Sequence, residues 1–454
     1  MFCFNKPRGH APKSILNLCS GLRCKIGEFM KTRFKTLLAP LATIAMLWTP
    51  VVSAQTLESA SVDVAQIVEN YTDIALASYK DALNSAVLMR TAIEDFLNNP
   101  NEETLAEART TWRTARIPYE QSEVFVHISP VIEDWVDRVN AGPINESFID
   151  YVAGGTTDNI INADVMNIGG KMVEIEKITP EFIARSLHQV DGQLQNVASG
   201  YHVIEFLLWG QDNSGSEEPG VEEGAGQRPA TDYDLENCTN GNCARRGEYL
   251  YAAVNLLVED LNEAVSHWVV TGDVRRDLMA DPEAAISKIL TGLGSLSYGE
   301  LAGDRLQRAL LVQTMDAELD RFSNNSHISY LFNARGIIGV YFGEYYSMEG
   351  ELTRGPSLAD LVKEVAPDLD EKFRTQLGIT MARMRLLIDH ARDVEAFDLM
   401  IANGNETGND LVAATIKGLI DQSETLSEMF DALGLPQSRF QSSDAFDNSD
   451  AVTR

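Results

Sequence analysis

The stretch VDVAQIVENYTDIALASYKDALNSAVLMRTAIEDFL, residues 62–97, decides the fold class. Its apolar residues Ile67, Tyr71, Ile74, Tyr79, Leu83, Val87, Ile93 and Phe96 recur at close to helical spacing. Asn99-Pro100-Asn101-Glu102 then reads as a new helix start, with Asn as cap, Pro at the first turn and Glu at the third position. The next helix carries Trp112, Arg116, Tyr119 and Glu123, spaced i, i+4, i+7 and i+11, and Pro118 is expected to kink or interrupt it. Thr179-Pro180-Glu181 marks a further start, leading toward His202. Helical periodicity returns over Tyr249–Val270 and from about Pro282 to Leu433. The second block has breaks at Ser323-Asn324-Asn325 and Arg354-Gly355-Pro356, and Ser323 or Asn324 is placed to cap the helix that follows. No run of alternating residues is long enough to build a sheet.

These patterns predict an all-α chain of two tandem helical bundles. The first covers residues 55–270 and the second 271–437, followed by a disordered Ser/Asp-rich tail over 438–454. A polar stretch from Asp212 to Arg246 interrupts the first block. Its length argues for function or disorder, and its Cys pair and Arg228-Pro229-Ala230-Thr231-Asp232-Tyr233 argue for partial order.

The N-terminus reads as a removed leader. Lys31, Arg33 and Lys35 precede an apolar run, Leu37–Val52, which ends in Val52-Ser53-Ala54. Those are the parts of a secretory signal peptide, with cleavage expected after Ala54. The run contains Pro40 and Pro50 and is short for a transmembrane helix. Met30 is the better start, which would make residues 1–29 a misassigned extension. The expected location is the periplasm. The full chain has net charge −30; without the eight basic and one acidic residues before position 55 it has 29 basic and 66 acidic residues, net −37. Such a surface excludes nucleic acid and anionic membrane as partners and is compatible with attracting cations. In an exported chain the remaining cysteines, Cys238 and Cys243 across a turn, read as a disulfide rather than a metal pair.

The chemistry concentrates in Ser199-Gly-Tyr-His-Val-Ile-Glu-Phe-Leu-Leu-Trp209. His202 and Glu205 lie one helical turn apart on one face, among residues that read as core. A buried ionisable pair must be satisfied, either by each other or by a shared cation, proton or ligand. Glu123 and Glu318, on other predicted helices, are the candidate additional carboxylate donors, with Trp112, Arg116, Tyr119, Ser323 and Arg228 as ligand-binding or supporting residues. His327 reads as a surface or capping histidine. Imidazole with carboxylate oxygens suits iron or zinc better than copper(I). Three readings stay open: a metal-binding protein, a metallopeptidase, and an interaction scaffold in which the pair is a structural hydrogen bond.

Gly200-Tyr-His-Val-Ile-Glu205 resembles the Gly-x-His-x-x-Glu signature of the imelysin-like family. The resemblance continues through Trp112–Glu123, the loop Gly224–Tyr233, Glu318 with Phe322-Ser323, Gly336–Gly343 and Gly355-Pro-Ser-Leu358, over roughly residues 60–435. It implies two helical bundles with the His-x-x-Glu pair near their interface. It also implies an exported protein of iron acquisition, with a metal ion or metal chelate and a membrane component of iron uptake as partners. The zincin signature His-Glu-x-x-His is missing from the sequence. Where the family pattern has Phe-Ser-Asp-Asn-Thr-His, this chain has Phe322-Ser-Asn-Asn-Ser-His327, so Asn324 stands in place of a carboxylate.

Overall fold

The computed structural model describes Leu57 and residues 60–155, 158–212, 225–314 and 317–452. The expected leader, together with Gly224, lies outside them. In chain order the helices are α1 (Val64–Asn98), α2 (Glu102–Ser122), α3 (Pro130–Val139), α4 (Glu146–Ile149), α5 (Pro180–Phe182), α6 (Tyr201–Trp209), α7 (Cys243–Trp268), α8 (Asp273–Ala280) and α9 (Pro282–Ser295). They continue as α10 (Arg308–Val312), α11 (Ser326–Phe342), α12 (Leu358–Val365), α13 (Pro367–Asp393), α14 (Phe397–Ile401), α15 (Glu406–Leu433), α16 (Asp444–Asp447) and α17 (Ser449–Val452). Strand is confined, among the described residues, to two antiparallel hairpins, β1 (Val165–Ile168) with β2 (Lys171–Glu174) and β3 (Glu344–Tyr346) with β4 (Leu352–Arg354). The chain is all-α.

α1 starts at Asp63, whose carboxylate accepts from Ala65 N at 3.0 Å. Its buried face includes Ile67, Tyr71, Ile74, Tyr79, Ile93 and Phe96, as the spacing predicts. The α2 start falls later than the sequence suggests. Asn101 is the cap and Thr104 closes the capping box, because Thr104 Oγ reaches back to Asn101 N. Pro118 does not interrupt α2, which runs on to Ser122 and tightens into a 3-10 turn over Glu123–Ile128. The start at Thr179 makes only α5 and a single π turn, Ile183–Leu187, and the chain then loops to Gly200.

α1 packs between α2 and α7, and α13 packs on α15. α11 touches both α2 and α13, so it joins the two sets. The larger core gathers side chains from α1, α2, α6, α7 and α9 with the ends of α13 and α15. A smaller core lies among Leu301–Ala309, Tyr330, Met384, Met400 and Leu419. Between α9 and α10 the helix widens into π geometry over Leu296–Gln307.

The segment after Gln437 is ordered by docking, against the composition-based expectation. Phe440 lies against Gly294, where an added Cβ would come within 2.2 Å of its ring. Gly299 and Gly303 leave equally little room beneath Gln441 and Ser443. Gln441 N donates to Ser295 Oγ at 3.0 Å, and Ser443 Oγ donates to Asp304. A disulfide joins Cys238 to Cys243 at the start of α7.

Candidate metal centre

α6 is short and every one of its residues is buried. Its position is set at both ends. Gly200 has φ +89°, and an added Cβ there would lie 2.5 Å from the Val139 carbonyl, so the chain can pass the end of α3 only as glycine. Neighbouring side chains take up α6 carbonyls. Trp112 Nε1 donates to Tyr201 O at 3.0 Å, Arg109 donates to Leu208 O at 2.9 Å, and Tyr233 donates to Leu207 O.

On this rigid turn, His202 Nδ1 lies 3.2 Å from Glu205 Oε2. Glu205 Oε1 accepts from Ser323 N at 2.8 Å and from Ser323 Oγ at 2.7 Å. Ser323 therefore anchors Glu205 instead of capping α11. Asp320 completes the group: the ligand atoms of His202, Glu205 and Asp320 all lie within 4.8 Å of one another, and all three residues are buried. Asp320 Oδ1 accepts from Arg116 Nη2 at 2.8 Å, and Oδ2 accepts from Asn325 at 3.2 Å and from Ser329. Burial works to raise the Asp320 carboxyl, but Arg116 and His202 more than offset it and hold it below the usual range. Burial raises Glu205, which His202 and Ser323 offset only in part.

Nδ1 faces Glu205, so the other ring nitrogen, Nε2, is turned to the cavity. That atom is buried and has no hydrogen-bond partner among the described residues. His202 is 4 % exposed and lines a cavity of about 660 Å³. Gly142 forms the wall beside it; a Cβ there would sit 3.9 Å from Nε2. Glu318 lines the same cavity. Its Oε2 accepts from Ser326 at 2.8 Å, while its buried Oε1 has no partner among the described residues. Burial, then Asp398, pushes its carboxyl well above the ordinary value, with Asp212 and Glu205 adding and Ser326 opposing.

Glu123 also lines the cavity but belongs to an adjoining polar chain. Its Oε1 accepts from Asn140 at 2.6 Å, and its Oε2 from Arg305 and from Asn333 at 3.0 Å. Arg116 closes the chain by donating to Asn140 at 2.7 Å and pairing with Glu120. Tyr119 is buried against Tyr201, with ring centroids 4.8 Å apart, and both lie under the Arg116 guanidinium. Arg228 is placed elsewhere, paired with Asp150 at 2.7 Å and Asp232 at 3.1 Å, where it ties the loop after α6 to the end of α4, whose Asp150 also pairs with Arg246 on α7. His327 is half-buried, and burial brings its imidazole down to about 4.

Sequence reasoning overlooked Asp320. One signal was available: Arg116, on the face shared with Trp112 and Glu123, needs a buried acid, and Asp320 supplies it from 204 positions away. Asn324 adopts a left-handed φ of 51°, which asparagine tolerates, and its amide sits between Arg321 O and Ala225 N.

The donor set passes the test of fit to a cation. Glu205 and Asp320 lie 3.2 and 3.8 Å from His202 Nδ1, an imidazole-and-carboxylate set that suits iron or zinc, while the unpartnered Nε2 faces the cavity on the other side of the ring. The family model described as Imelysin matches residues 75–426. A comparison with curated proteins finds no match. Among solved structures, an iron-regulated protein A precursor from Parabacteroides distasonis is similar at 18% identity and TM-score 0.56, covering 80% of this chain and 95% of that one. An imelysin-like protein from Psychrobacter arcticum is similar at 13% identity and TM-score 0.53, covering 83% and 98%.

Proposed function

Because the chain belongs to the imelysin family, we propose that it is a periplasmic protein of iron acquisition. In this reading it binds a metal ion or metal-containing ligand at the His202/Glu205 centre, with Glu318 and Glu123 as further carboxylate donors and iron or zinc as the metal. The observation that carries it is His202 Nε2: a buried nitrogen without a partner, on the wall of a cavity of about 660 Å³. A nitrogen held without a protein partner on a cavity wall is placed to take a ligand. The iron link is supported by the name of the Parabacteroides structure. Export is supported by the basic, apolar and small-residue order that ends at Ala54. No helix among the described residues is long and apolar enough to cross a membrane.

The two-bundle division near residue 270 belongs to the same reading. In this reading the site lies where the bundles meet, and what supports it is that the cavity takes lining residues from Glu123–Ile144 and His202 and also from Leu296–Phe322. The test is metal content and calorimetric ferric and zinc affinity of the mature protein beside His202→Ala and Glu205→Ala. Wild type should bind, with His202→Ala at least tenfold weaker. Equal binding by all three proteins would overturn the assignment.

A further inference from the structure

The wall of the cavity carries a second histidine, His127, with Glu300 facing it. His127 belongs to the 3-10 turn over Glu123–Ile128, and Glu300 to the π stretch Leu296–Gln307. Helices of π geometry are rare and occur frequently at functional sites. Here the five-residue register brings Glu300 Oε2 to 4.0 Å from Arg305 Nη2.

The His127 ring lies between two carboxylates. Nδ1 is 3.4 Å from Glu133 Oε1, and Nε2 is 3.8 Å from Glu300 Oε1. The second separation is too long for a hydrogen bond. Among the described residues, the cationic groups that reach Glu300 are therefore His127 at 3.8 Å and Arg305 at 4.0 Å. Arg305 gives its closer bonds to Glu123 and Asn333. Burial raises the Glu300 carboxyl, Arg305 and then His127 oppose the rise, and Glu123 and Asp304 add to it. The corner is short of positive charge, not of acid.

A structural ion pair accounts for only half of this. Pairing with Glu133 engages Nδ1 and gives Nε2 no reason to face a carboxylate across a gap that forms no bond. A metal ion gives one. Zinc holds nitrogen and oxygen donors at about 2.1 Å, so tetrahedral neighbours stand about 3.4 Å apart, and the observed 3.8 Å needs only a small closure. The two side chains are 9 and 27 % exposed, against 4 and 0 % for His202 and Glu205, so an ion from solvent meets this pair first. The net charge of −30 favours its arrival. Deeper in, the unpartnered His202 Nε2 faces the same cavity. Two protein donors with water completing the shell bind an ion weakly enough to release it again.

We propose that His127 Nε2 and a Glu300 carboxylate oxygen form a second, weaker site for a divalent cation, iron or zinc, from which the ion passes through the cavity to the His202 centre. This rests on the metal-binding reading of that centre. The arriving ion exchanges two of its waters for the imidazole nitrogen and the carboxylate oxygen. Any proton on Nε2 goes to water, and the ion keeps its oxidation state.

The experiment titrates the mature protein calorimetrically with zinc and, under argon, with ferrous iron. Wild type should take up two ions, the second at least tenfold more weakly than the first. His127→Gln and Glu300→Gln should each bind one ion, within twofold of the tight affinity of wild type. Stopped-flow tryptophan fluorescence should show that ion loading at least threefold more slowly. His202→Ala should keep the weak ion and hold the other at least tenfold less tightly. Glu133→Gln, on the far side of the His127 ring, should keep both ions. Glu300→Gln is near-isosteric and partly exposed, so it carries the test if His127→Gln does not fold. One ion in wild type, or two ions in the variants of His127 and Glu300, would overturn the second site while sparing the His202 centre. Loading at the wild-type rate in those variants would overturn the route. Uptake of neither metal by any of the proteins would sink the metal-binding reading itself.

Discussion

His202 owes its orientation to a relay of three side chains. Ser323 holds Glu205, Glu205 holds Nδ1, and Nε2 is thereby left to the cavity. Ser323→Ala removes one hydroxyl bond but keeps the backbone N–H to Glu205. The expected cost is about 1 kcal/mol of stability, read as a shifted urea midpoint, together with weaker metal binding. An unchanged affinity would separate the serine from the site. Gly200→Ala is the harsher change. It puts a side chain into positive φ and against Val139 O, and should cost about 2 kcal/mol or more by thermal unfolding. The His-x-x-Glu pair was legible because spacing on a helix is a local property, whereas Glu318, expected on a helix, lies in the loop between α10 and α11 and was reached only through its resemblance to the family pattern. Asp320 was not, because Arg116 meets it across 204 positions and pairing of that reach leaves no periodic trace. Glu123 was legible as part of a helical stripe, but its partners Arg305 and Asn333 come from two other helices.

At the scale of elements, caps and periodicity carried most of the reading, and tertiary contacts decided the rest. α1 begins one residue after its Asp63 cap, and α12 begins at a Ser357 capping box with Asp360. α2 starts from Asn101 and not from Asn99 because the Thr104 hydroxyl completes the capping box there. α7 and α3 meet through Arg138 and Asp260, 3.1 Å apart. Burial first, then Glu263 and Glu259, raise the Asp260 carboxyl to about 6, with Arg138 opposing. An unfolded aspartate titrates near 3.9, so between about pH 4 and pH 6 the native state binds more protons than the unfolded chain. Stability from this group therefore falls as pH rises through that window and is flat above it, a loss of about 2 kcal/mol. Asp260→Asn should remove that slope. Urea midpoints of both proteins at pH 4.5 and pH 7 measure it, and parallel losses would refute the assignment.

At the scale of the whole molecule, the cavity depends on a segment whose composition points the other way. Residues 438–452 are rich in Ser and Asp and make little use of helical periodicity, so composition alone predicts disorder. What orders them is complementary shape elsewhere: Gly294, Gly299 and Gly303 on one helix face leave a bare track that Phe440, Gln441 and Ser443 occupy. Phe446 adds a stacked contact on Tyr298 at 5.0 Å. The docked segment then places Asp444, Ala451 and Val452 on the cavity wall. Its anchors are few and partly exposed, so its removal should cost little of the global fold, since both apolar cores are built from residues before Gln437 apart from the edge contact of Phe440 and Phe446. Truncation after Gln437 is therefore expected to keep the far-ultraviolet circular dichroism spectrum and to lower the melting temperature by only a few degrees, while bound cargo dissociates at least tenfold faster. Gly299→Ala tests the same wall without shortening the chain, because its Cβ would lie 2.4 Å from Gln441 O and displace the segment. Stopped-flow release of the bound metal from both variants is the measurement. Release at the wild-type rate from both would show that the segment merely decorates the cavity, and a collapse of the melting transition would show that it belongs to the core.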